Sequence, residues 1–158
     1  MSDEEIIASA EKAAPASVGK DATIIAMDEQ MKVRVVREGT NGFTCMPDNP
    51  QSPGTDPMCL DKGGLEWAKA WMAHENPPEG MIGLGYMLMG GSDASNTDPH
   101  AMEPAAGGQW VDTGPHLMLF NVGAMGESYP KQGDNPDTKV PYVMWAGTPY
   151  EHLMIPVE

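Results

Sequence analysis

An α+β fold, a mostly antiparallel β-sheet packed against one main helix in a single loop-rich domain, is predicted by three observations. Short apolar or alternating runs of strand length, bounded by Gly, Pro, Asn and Asp, recur through both halves of the chain. One longer segment, residues 65–74, carries apolar residues at spacings of three and four. A chain of 158 residues suffices for one domain that buries roughly 70% of the surface its unfolded state exposes.

Taken in order, residues 1–22 mix Ala, Ser and acidic residues, with Ile6, Ile7 and Ala10 on one face of a short helix ahead of Pro15. They are expected to form a loosely ordered N-terminal arm, followed by the domain at 23–158. Residues 23–27 and 32–37, joined by Asp28-Glu29-Gln30, read as a β-hairpin whose second strand carries Val33 and Val35 on its apolar face. Gly39-Thr40-Asn41-Gly42 interrupts that strand as a turn or bulge before residues 43–46 resume it. In the main helix Asp61 is a candidate N-cap and Pro77-Pro78 lies beyond the end. The apolar stripe Leu65, Ala68, Trp71 and Met72 turns Trp71 to the sheet and leaves Trp67 at the edge of that contact, both as core packing. Residues 81–89 read as a strand whose glycines let a helix or side chain approach closely. After the polar loop 90–108, residues 109–112 and 116–122 resume extended structure, and 142–146 with 152–157 form a last hairpin closed by Gly147-Thr148-Pro149.

The formal charge of −14, from 23 acidic residues against nine Lys plus Arg, leaves no basic cluster to neutralise a phosphate backbone. Nucleic acid and anionic membrane surfaces are therefore poor partners, and a cation, a small ligand or a basic protein suits the chain better. The same charge also serves simply to keep a secreted protein soluble. Gly and Pro number 18 and 15, yet they punctuate apolar segments rather than forming repeats, and the 41% hydrophobic content is that of a folded chain. No run approaches the ~18 apolar residues of a transmembrane helix, and Ser2-Asp3-Glu4-Glu5 has neither the basic nor the apolar region of a signal peptide.

Cys45 and Cys59 flank a Pro/Asp/Gly-rich segment, residues 46–58, flexible enough to bring its ends together. A disulfide there would close a loop of about 15 residues and stabilise the fold by ~3 kcal/mol through chain entropy. Such a bond persists in an oxidising compartment; the alternative is two free thiols in a cytosolic protein.

The tripeptide His-Leu-Met occurs twice, at residues 116–118 and 152–154, each time in a strand-like run. Residues two apart in a strand share a face, so His116 with Met118 and His152 with Met154 each present an imidazole beside a thioether. On neighbouring strands those four would form a soft-metal site of the kind that favours Cu(I), in a chain with 14 Met. Met also fills irregular cores, and strand histidines with satisfied hydrogen bonds are the plainer reading. A blue-copper centre is disfavoured because both cysteines lie far upstream of these residues. A second candidate is the loop 90–100, where Asp93, Ser95, Asn96 and Asp98 gather oxygens able to hold Ca²⁺ or orient a polar ligand. It lacks the Gly and Glu of an EF-hand, and turns and caps use the same residues. For nucleophilic catalysis, Ser92 or Ser95 with His116 or His152 lacks a G-x-S-x-G elbow, and Glu66 with Glu151 has no spacing to single it out as an acid/base pair. No G-x-G-x-x-G, P-loop, H-E-x-x-H or C-x-x-C is present. The catalytic residues, if there are any, stay unassigned.

Residues 37–47, 56–61, 90–99 and 141–156, in particular Thr44-Cys45-Met46-Pro47, Asp56-Pro57-Met58-Cys59 and Gly147-Thr148-Pro149-Tyr150-Glu151-His152-Leu153-Met154, resemble a family of small bacterial exported proteins with no assigned activity. The resemblance covers roughly residues 14–157; family members often carry Trp where this chain has Phe43. It implies export and a single domain. The sequence is then expected to be a mature form, its signal removed and Met1 added for expression. The expectation is a periplasmic or secreted, disulfide-closed protein that binds a small ligand or soft metal ion, copper by class, through its His/Met strand face. A structural or protein-interaction module of the cell envelope and an unrecognised hydrolase are the alternatives.

Overall fold

The computed structural model describes the backbone of residues 1–158 and the side chains of residues 1–123 and 126–158. The chain runs α1 (Asp3–Glu11), α2 (Ala16–Gly19), β1 (Thr23–Met27), β2 (Val33–Arg37), β3 (Thr44–Met46), β4 (Met58–Leu60), α3 (Lys62–Met72), β5 (Gly83–Met87), β6 (Ser92–Asp93), β7 (Val111–Asp112), β8 (His116–Phe120), α4 (Ala124–Glu127), β9 (Tyr142–Met144) and β10 (His152–Pro156). Eight strands form one sheet in the order β2-β1-β3-β4-β5-β8-β10-β9, and β6 pairs with β7 as a separate ribbon. This is the predicted α+β class. Within the large sheet every neighbouring pair is antiparallel save β1 with β3, which are parallel. Residues 43–46 therefore do not resume β2; the chain after it crosses β1 and enters the sheet on the other side.

The helices take opposite faces. α1 lies over β1, β3 and β4, burying Ile6, Ala10, Ala13 and Ala14 against Ile24, Ala26, Cys45 and Cys59. Its start is a capping box, with the Glu5 amide donating to Ser2 Oγ at 3.2 Å and the Ser2 amide donating to Glu5 Oε2 at 2.7 Å. Arg37 donates to Glu11 Oε1 and to the Gly19 and Ala22 carbonyls, which fixes the segment between α1 and β1. The first 22 residues are thus a docked part of the domain rather than a loosely ordered arm, because the alanines give α1 a flat apolar side that fits closely on the sheet.

α3 begins where expected. Asp61 Oδ1 accepts from the Gly64 amide at 2.8 Å and from the Leu84 amide at 3.0 Å, so one carboxylate both caps the helix and ties it to β5. A Cβ on Gly83 would come within 2.3 Å of the Gly64 nitrogen, so only glycine lets the helix start rest directly on β5. That contact turns the helix: its buried stripe is Gly63, Gly64, Trp67 and Ala70. Trp67 is 5% exposed in the core and Trp71 only half-buried, the reverse of the sequence expectation. Val33 and Val35 also differ from expectation, standing 47% and 51% exposed on the edge strand β2.

Cys45 and Cys59 are joined by a disulfide between directly opposed residues of β3 and β4, with Cα atoms 4.0 Å apart, fully buried beneath α1. Among the described residues no helix is long and apolar enough to cross a membrane. The disulfide is consistent with an extracellular location.

Candidate functional site

The two His-Leu-Met strands, β8 and β10, lie side by side and antiparallel. Their period of two puts His116, Met118 and Phe120 with His152, Met154 and Pro156 on the face that packs under α3. Register decides which of these meet. Met118 stands opposite Met154, whereas His116 faces Pro156 and His152 faces Phe120. The two histidines are thus four residues apart in register, so their backbone positions are offset along the strands by roughly 13 Å at about 3.3 Å per residue, and the directly opposed pair is Met118 with Met154.

The histidines also differ in surroundings. His152 is enclosed by aromatic rings, with Trp67 and Trp145 each 5.1 Å away edge-on and Phe120 at 5.4 Å. Its Nδ1–H donates to the Tyr150 carbonyl at 2.9 Å, and burial drives its pKa down to about 4, so it is neutral and structural in character. His116, 1% exposed, donates Nδ1–H to the Gly114 carbonyl at 2.7 Å. That bond fixes the tautomer and leaves a lone pair on Nε2, which has no partner among the described residues. Burial lowers the pKa of His116 too, keeping that lone pair free of a proton. Neither ring has the carboxylate on Nδ1 that a Ser-His-Asp triad requires.

In the 90–100 loop the candidate oxygens serve the loop itself. The Ser95 amide donates to Asp93 Oδ1 at 3.0 Å, the Thr97 and Asp98 amides to Ser95 Oγ at 3.1 and 2.9 Å, and the His100 amide to Asp98 Oδ1 at 3.0 Å. These are Asx and Ser turns. Asn96 points the other way, its Nδ2 donating to the carbonyls of Gln132 and Gly133 at 2.9 and 2.8 Å, while its Oδ1 is buried without a partner. Burial, with a smaller push from the charge of Asp56, lifts the Asp93 carboxyl to about 6. The Tyr142 hydroxyl is likewise buried and has no partner among the described residues. Glu66 bonds Lys69, and Glu151 accepts from the Gly147 amide, so each carboxylate has a local structural task.

Sequence reasoning missed an aromatic column. Trp67, Trp145, Trp71 and His100 stack in succession at 6.1, 5.9 and 5.8 Å, and His74 ends the column 3.7 Å from His100. A metal ion lies in the plane of each imidazole that binds it, and two stacked planes share no such point, so His74 and His100 are packing partners rather than a chelate. No spacing in the sequence brings them together. Among the described residues no three His, Cys, Asp or Glu side chains converge as a metal site. Two surface clefts, one of about 190 Å³ lined in part by Glu151 and His152 and one of about 160 Å³ lined in part by Asp112 and Asp134, fall below the ~300 Å³ at which organic-ligand pockets begin. Compared with family models, curated proteins and solved structures, the chain matches none.

Proposed function

We propose that this chain is an exported binding protein that takes a soft metal ion, copper(I) by class, on the His/Met face of its sheet. The observation that carries the reading is the His116 Nε2 lone pair, which is buried, unprotonated and unpartnered on a face lined with methionines. An unsatisfied buried acceptor costs about 1–3 kcal/mol, and a bound ion is one way to offset that. Thioether and neutral imidazole together favour soft ions such as Cu(I) over Ca²⁺ or Mg²⁺. The buried disulfide supports a periplasmic or secreted location, in keeping with the family the sequence resembles.

The test is titration with Cu(I) kept reduced by ascorbate. One equivalent should bind to wild type and to His152→Phe, and be lost in His116→Ala. Wild type that takes up no ion, or His116→Ala that binds as wild type does, sinks the reading. A second reading, an interaction module, is favoured by the apolar patch of Met27, Met31, Val33 and Val35 around the edge hairpin, 41% to 57% exposed. Its sign would be a folded protein that ignores metal and self-associates less when Val33 and Val35 are changed to Thr.

A further inference from the structure

Resting on the soft-metal reading above, we propose that the ion is held by Met58, Met87 and His116, a row of donors across three adjacent strands, and not between the two His-Leu-Met segments. Met87 of β5 stands directly opposite His116 of β8. β4 and β5 are in register at Leu60 with Gly85 and Cys59 with Tyr86, so one further step along the antiparallel pair sets Met58 beside Met87. Met46 of β3 stands opposite Met58 and extends the same row outward. Adjacent strands lie about 4.8 Å apart, and the three rotatable bonds of Met let sulfurs on either side of Met87 swing over it. Met58 and Met87 pack against the core cluster that contains Met118 and Met154, which places them on the face His116 occupies.

Burial separates this row from the alternative. Met118 and Met154 are 5% and 2% exposed in the cluster that contains Trp67, whereas Met58 and Met87 are only half-buried and stand nearer to solvent. Two further features hold the row in place. A Cβ on Gly91 would come within 2.9 Å of the Met87 Cε, so glycine there leaves room for the thioether end. The disulfide joins the residues next to Met46 and Met58, fixing the β3 and β4 register from the opposite face.

The experiment titrates wild type, Met58→Leu/Met87→Leu and Met118→Leu/Met154→Leu with Ag(I), a redox-inert stand-in, and with Cu(I) against a chromogenic chelator. Near-UV circular dichroism checks the fold of each. Removing two direct ligands should weaken binding at least ~100-fold, more than the loss of a supporting contact does, while the Met118/Met154 variant should bind as wild type. The opposite pattern overturns the assignment, as does Met58→Leu/Met87→Leu that binds like wild type while His116→Ala does not; both leave the soft-metal reading standing. Wild type that binds neither ion removes that reading as well. Should the double variant fail to fold, methyl NMR of wild type decides: the Met58 and Met87 methyl signals must shift with Ag(I), and shifts confined to Met118 and Met154 refute the row.

Discussion

The two faces of the sheet are made of different chemistry. Under α1, small apolar groups meet closely: Ile6, Ala10, Ala13 and Ala14 rest on Ala22, Ile24, Ala26 and the disulfide. Under α3, Trp67 meets Met118, Met144, Met154, Phe120, Tyr142 and Trp145. The four buried side-chain atoms without a partner among the described residues, Trp67 Nε1, Asn96 Oδ1, His116 Nε2 and Tyr142 Oη, belong to this second face and the loops that close it. Each such atom opposes stability by about 1–3 kcal/mol. A face selected for stability alone would resemble the first; the second keeps polar atoms at a cost. Methionine is the filler that tolerates both tasks, since it packs irregular gaps and still offers a soft donor.

The largest expected effect sharpens that contrast. Trp67 touches Phe120, Trp145, Tyr150 and His152 and should be the keystone of the α3 face. Trp67→Ala is expected to destabilise the protein by ~3–5 kcal/mol in denaturant titration. A loss below ~1 kcal/mol would mean that the aromatic face is not a packed core. On the other face, Cys45→Ala/Cys59→Ala is expected to cost ~3 kcal/mol. With both sulfurs fully buried, the native protein should take up no alkylating agent until it is unfolded and reduced, and intact mass spectrometry reads this directly.

The pH dependence sets two buried groups against each other. The folded-state pKa of Asp93, about 6, lies above the usual carboxylate value, so the buried charge is a penalty at pH 7 that disappears as pH falls from 6 towards 4. His152 has the opposite sign. Its folded pKa of about 4 lies below that of an exposed histidine, so the stability it supports is present above pH 6.5 and is lost as pH falls through 4. Each effect amounts to about 3 kcal/mol at most. They offset over the same window, and His116, also lowered by burial, adds to the loss in acid. Asp93→Asn should therefore be more stable than wild type at pH 8 and lose stability more steeply on acidification, converging with it near pH 4. Parallel curves for the two proteins would place the Asp93 carboxyl in water.

Much of this architecture was legible in the sequence where periodicity and turn chemistry agree. Residues 142–157 form the predicted hairpin, Asp61 caps the predicted helix, and the Pro/Gly-rich segment closes the predicted disulfide. What failed depended on how elements approach one another. The stripe Leu65, Ala68, Trp71 and Met72 is a fair helical face, but Gly63 and Gly64 let α3 come down on β5 along a neighbouring stripe, and Trp67 follows them inward. Gly39 to Gly42 reads as a bulge because nothing local distinguishes a bulge from a crossing that inserts β3 beside β1. The two His-Leu-Met segments lie on adjacent strands and share a face, as alternation predicts, while the register that sets each histidine opposite an apolar residue follows from the whole sheet and could not be read locally. One signal was available. Once Cys45 and Cys59 are paired across two antiparallel strands, Met46 and Met58 must stand opposite each other.

The smallest effect tests whether α1 belongs to the domain at all. Ser2 Oγ holds the Glu5 amide, and the helix it caps covers the disulfide with Ala10 and Ala13. If α1 unfolds together with the sheet, losing the cap should lower the global stability by ~1 kcal/mol, the usual cost of a Ser→Ala change at an N-cap. If instead residues 1–22 behaved as an arm that detaches on its own, Ser2→Ala would leave the main transition untouched and only speed amide exchange within residues 3–11. The ion pairs of Arg34 with Asp3 and Arg37 with Glu11 link α1 to β2, so the first outcome is expected. It would also show that the compact, fully satisfied face and the methionine face unfold as one unit, leaving the unpartnered atoms beneath α3 held in place by a scaffold that reaches to the first residues of the chain.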